Sequence, residues 1–236
     1  MNSIQKTARL AGGLYLVITL AAMVAHIYVP SAIIVPGDAT ATANNIMTSP
    51  ALFRVGGIGA EMVILLCEIV LSIVLYVLFK PVNKTLSMLA AVSRLAMTTI
   101  HGINLINYFF VILLLSGTGY LAVFDAGQIN ALVMLFLDAH SYGFTIGIAF
   151  LTLPVFLLGY LIIKSGYFPR ILGVLFVLAG VGYLVDSFAL LLSPTYDTTP
   201  VFLALPIAIA EIAFPLWLLI KGVNVEGWKR RALATV

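Results

Sequence analysis

Charge is scarce in this chain. Only 12 Lys or Arg and 9 Asp or Glu stand among 236 residues, 9% of the total, where an ordinary soluble domain carries about 25%. Hydrophobic residues make up 62%, and the mean hydropathy is +1.15. A soluble fold could not cover so apolar a chain with polar surface, so soluble globular, nucleic-acid-binding and disordered classes are excluded. Cysteine is nearly absent too. Cys67 alone closes no intrachain disulfide and builds no thiolate metal site. Histidine occurs three times, at 26, 101 and 140, and no two lie at metal-binding spacing on one helix. There is no phosphate loop, nucleophile elbow or haem-attachment motif, so no cofactor is implied.

What the chain has is long apolar runs. A bilayer core of about 30 Å takes about 20 apolar residues per helix. Six stretches qualify, at about 10–28, 55–79, 86–115, 135–163, 171–192 and 201–220. They are continuous, without the period-two alternation of barrel strands, so they predict an all-α polytopic membrane bundle in one integral domain, 1–236. Pro30, Pro36 and Gly37 break the chain after the first run. Asp38 is placed to cap a short helix, and Ser49-Pro50 to start the next. The first run has the basic start and small residues of a signal peptide, but it is long enough to span and is expected to be retained.

Ten of the twelve basic residues (Lys6, Arg9, Lys80, Lys84, Lys164, Arg170, Lys221, Lys229, Arg230 and Arg231) fall on one side if both termini are cytoplasmic, which sets the orientation. Asp38, Asp125 and Asp197 then occupy the outer loops. At 1.5 Å per residue, Glu68, Arg94 and Glu211 lie roughly 12–16 Å from the cytoplasmic end. His26, Glu61, His101, Asn104 and Asp186 lie at roughly 22–27 Å, with Asp138 and His140 further out. A charge in hydrocarbon turns inward and finds a partner. In the inner layer Glu68 and Arg94 are expected to pair, with Glu211 joining them or protonated. The outer layer supplies ligand-binding or proton-relay candidates: Glu61, His101, Asn104, Asp138, His140 and Asp186. Imidazoles with carboxylates are also a metal ligand set, so His26, His101 and His140 are the metal candidates. Asp138 and His140 point to nearly opposite sides of a helix, and reach one site only if the fourth helix is irregular there. Asp138, Tyr142, Thr145 and Thr152 make an inward stripe by themselves.

Several stretches carry a resemblance: 35–46 (Val-Pro-Gly-Asp-Ala-Thr-Ala-Thr-Ala-Asn-Asn-Ile), Leu52-Phe53-Arg54, Lys80-Pro81-Val82-Asn83, Asp138-Ala139-His140-Ser141-Tyr142-Gly143, 165–173 and 182–188. Together with 211–223 they resemble a bacterial membrane family classed as domain of unknown function 4386, from about residue 8 to 224. The resemblance implies a multi-pass protein of the bacterial cytoplasmic membrane and assigns no catalytic residues. It draws attention to the outer Pro-Gly-Asp loop, Arg54, Asp138, His140 and Asp186. Three functions stay open. The first is binding or transport of a small-molecule or lipid-like ligand through the outer polar site. The second is an intramembrane metal-dependent hydrolase. The third is a partner-binding protein whose polar residues are architectural. The lipid bilayer is the partner the composition requires, a small-molecule or lipid ligand is a further candidate, and protein partners stay open.

Overall fold

A computed structural model of the chain describes residues 3–196 and 198–234; Asp197 lies outside the described residues. Among them the secondary structure is helical, without strands. Six helices are long and apolar enough to cross a membrane: α1 (Ser3–Ile33), α3 (Leu52–Phe79), α4 (Lys84–Leu114), α5 (Ala126–Ser165), α6 (Arg170–Leu192) and α7 (Val201–Ile220). Among the described residues there are also two shorter α-helices, α2 (Ala39–Thr48) and α8 (Val225–Leu233), and a 3-10 turn at Gly119–Leu121. Large apolar side chains cover outward faces of the spans, Val55, Leu66, Ile103 and Leu135 among them. On a soluble protein such a surface would aggregate; in a bilayer it is solvated by acyl chains. The protein is a multi-pass membrane protein.

Local signals act as expected at several ends. Asp38 accepts the amide of Ala41 at 2.8 Å and caps α2. Helical residues start at Pro50, just ahead of α3, with Ser49 before them. Elsewhere the helices depart from the sequence expectation. Pro30 does not end the first span; the helix continues to Ile33. The chain accommodates the proline by running as a π-helix over Met23–Tyr28. Residue 30 has no amide hydrogen, so the His26 carbonyl loses its α-helical donor, and the turn before the proline widens. A second π-helical segment covers Leu52–Gly59, where Gly56, Gly57 and Gly59 weaken the α preference. In α4 the helix is interrupted at Leu105, between Lys84–Asn104 and Ile106–Leu114. α5 reaches back to Ala126 and is 40 residues long, about 60 Å or twice the hydrocarbon thickness.

The chain divides into two compact units. The first comprises Met1–Val17, Cys67–Thr99 and Thr145–Val236; the second comprises Ile18–Leu66 and Ile100–Phe144. In the first, α6 packs along α7. Phe214 is fully buried and meets Tyr15, Phe168 and Phe176 edge-on, with centroids 6.1, 5.7 and 5.3 Å away. Gln5 near the start of α1 donates to the Lys221 carbonyl and accepts from Val223, so the start of α1 and the end of α7 share one side. In the second unit, the apolar core includes Val29, Ile33, Phe53, Tyr108, Val111 and Val133.

Candidate functional site

The polar residues are sorted into two sets, one in each unit. In the first unit Glu68 and Arg94 form a bidentate ion pair. Arg94 donates from Nε to Glu68 Oε2 and from Nη2 to Oε1, the latter at 2.9 Å. Both residues are buried. The Tyr15 hydroxyl lies 3.4 Å from Nη1, and the guanidinium carbon stands 5.2 Å from the Tyr15 ring centroid. Fork geometry, burial and an aromatic face are what an arginine needs in a low-dielectric setting. Glu211 takes a different partner: its Oε1 accepts the Tyr183 hydroxyl. Asp186 also belongs to the first unit. Its two oxygens accept Tyr196 Oη at 2.7 Å and Thr199 Oγ1 at 3.0 Å, tying down the loop that follows α6.

The second set lies wholly within the second unit and draws on α1, α3, α4 and α5. Glu61 is 5% exposed. Its Oε1 stands 3.1 Å from His140 Nε2 and 3.8 Å from His26 Nδ1. Neither Glu61 Oε1 nor His140 Nε2 has a hydrogen bond, because the pair is misaligned despite its separation. Two buried polar atoms thus face each other with unused bonding capacity, a costly arrangement away from water.

Aromatic rings hold these imidazoles in place. Tyr108 stacks on His140 with centroids 3.8 Å apart and planes 14° apart. Phe144 packs against both His26 and His101, at 4.3 and 5.0 Å. His101 Nε2 lies 3.1 Å from the Phe144 carbonyl. A carbonyl only accepts, so this nitrogen carries the proton. Asn104 donates to the His140 carbonyl at 2.8 Å, and Asn107 donates to both oxygens of Asn104. Asn104 seats directly on Gly143, where any Cβ would overlap its side chain. His26, Glu61, His101, Asn104 and Phe144 border a cleft of only about 10 Å3, enough for about one water.

Asp138 does not join this cluster. α5 is regular there, so Asp138 is exposed while His140, two residues on, is buried. Tyr142 shares the exposed face, and of the expected stripe Thr152 is buried. Asp138 lies about 18 Å from the start of α5; the surplus length of that helix leaves room for this face outside the hydrocarbon. Arg54 is exposed near the start of α3. Among the described residues, no group of three or more His, Cys, Asp or Glu is arranged to hold a metal ion.

Residue patterns did not reveal the backbone irregularities. The π-helical turn contains His26, the second ends two residues before Glu61, and the α4 break follows Asn104 directly. One signal was present: a proline four residues after His26. Phe144 and Gly143 carried no chemical signature and became visible only through their contacts.

Residues 10–222 match the family described as Domain of unknown function (DUF4386). The chain belongs to this family. A relative described as an uncharacterized protein, from Archaeoglobus fulgidus, is 28% identical over 173 residues, covering 73% of this chain and 86% of its own. No solved structure matches.

Proposed function

We propose that this family member binds, and in doing so transports, a small-molecule or lipid-like ligand, with Glu61, His140 and His26 as the polar site. The observation that carries this is the Glu61 oxygen, buried beside two imidazoles yet without a hydrogen bond. Such an oxygen accepts one hydroxyl, ammonium or water that also satisfies His140. The cleft of about 10 Å3 admits no larger group, so a bulkier ligand enters only with movement of the neighbouring helices. The π-helical segments at Met23–Tyr28 and Leu52–Gly59 are the places for that movement, because their backbone bonding is already displaced from the α pattern. Asp138 and Asp186 fall outside this reading. We assign both termini to the cytoplasmic side on the distribution of the basic residues, and the protein to the bacterial cytoplasmic membrane on the family resemblance alone.

The test uses the purified protein in nanodiscs. Short-chain alcohols or alkylamines are expected to raise its melting temperature, a gain lost in Glu61→Gln and kept in Asp138→Asn. Stabilisation of Glu61→Gln identical to the parent's would leave the cluster architectural and end the proposal.

A further inference from the structure

The turn between α5 and α6 and the helix α8 border a basic cavity within the first unit. It measures about 450 Å3 and lies broadly open. Lys164, Arg170, Arg230 and Arg231 line it, and no described acidic side chain does. Lys164 sits in the last turn of α5, Arg170 opens α6, and the two remaining arginines end α8. Lys164, Arg170 and Arg230 place like charges around one space, and an anion between them relieves their repulsion. In the sequence these residues served only as an orientation signal.

The walls are fastened. The Leu78 carbonyl near the end of α3 accepts both Tyr167 Oη at 2.7 Å and Trp228 Nε1 at 3.0 Å, which anchors the turn and α8 to one atom. Arg231 Nη2 donates to the Lys164 carbonyl at 2.8 Å, a favourable place for a cation at a helix C-terminus. Gly227 lets α8 approach the turn closely. A Cβ there would stand 3.2 Å from Tyr167 Cβ and 3.5 Å from the Gly166 carbonyl oxygen.

We propose that this cavity binds the phosphate of an anionic phospholipid head group. Its volume falls within the range of ligand sites, about 300–1,000 Å3. Arginine forks match phosphate oxygens in pairs. The spans α5 and α6 end at this turn, where lipid head groups meet water. The half-buried Trp228 is an aromatic type that settles at that interface. A soluble phosphate ester would satisfy the cations but lacks the acyl chains that the two spans would solvate.

Native mass spectrometry of the detergent-solubilised full chain tests this, titrated with phosphatidylglycerol, phosphatidylcholine or glycerol 3-phosphate. Phosphatidylglycerol is expected to bind at least tenfold more tightly than either of the others. Each cation removed is expected to weaken it about fivefold, so Arg170→Gln with Arg230→Gln loses about 25-fold, while Lys229→Gln, outside the cavity, binds as the parent does. Equal retention of phosphatidylglycerol and phosphatidylcholine by the parent would overturn the proposal, whether or not the variants fold. So would glycerol 3-phosphate binding as tightly as the lipid, or an unchanged affinity in a folded double variant.

Discussion

Replacing Glu68 by Leu leaves the Arg94 guanidinium buried without its carboxylate, beside the Tyr15 hydroxyl. Both members of the pair are about 5–6% exposed, so water cannot take over the missing charge. Breaking a buried pair from one side costs about 3–5 kcal/mol. For a chain of this size that corresponds to a fall of about 6–20 °C in apparent Tm. Arg94→Leu removes the cation instead and strands the carboxylate, with a cost of the same order. The double variant Glu68→Leu, Arg94→Leu has no stranded charge. Replacing a whole buried pair by packed apolar residues is neutral or stabilises by about 1–4 kcal/mol, so the double variant is expected to melt at or above the parent. The assay is thermal unfolding of purified protein in one detergent, completed as a double-mutant cycle. A double variant as unstable as the two singles combined would refute this account, as would singles that melt with the parent.

Two further outcomes follow from local geometry. Pro30→Ala restores an amide that can bond to the His26 carbonyl, and is expected to convert Met23–Tyr28 from π to α geometry. With only three histidines in the chain, carbonyl labelling and solid-state NMR resolve them; the His26 signal should move, and an unmoved signal counts against the proline as cause. Burial holds the Tyr167 phenol well above its ordinary range. Because the folded value is raised, its contribution to stability is complete below about pH 10, the unfolded value, and is lost as pH climbs further. Tyr167→Phe is expected to flatten that alkaline decline and to cost about 1 kcal/mol at neutral pH for the bond to Leu78. An alkaline slope identical to the parent's would count against it.

The architecture was legible because it rests on composition. Hydrocarbon demands long uncharged helices, and six apolar runs separated by Pro, Gly and Asp signals specify them without knowledge of any contact. Helix starts were legible where their signal is a neighbour in sequence, as with the Asp38 cap and with proline at residue 50. Depth arithmetic grouped Glu68 with Arg94 and Glu61 with His26, since depth along a helix is set by the chain itself. Lateral position is not. Glu211 and Arg94 share a depth, yet Glu211 takes Tyr183, and Asp186 shares a depth with Glu61 but holds Tyr196 and Thr199.

The sequence by itself determined that this chain crosses a membrane six times and that its few buried charges must have company. Only the tertiary structure decided which company. Partner choice depends on rotation about each helix axis, and a π-turn or a break such as those at Met23–Tyr28, Leu52–Gly59 and Leu105 resets that rotation for every residue beyond it.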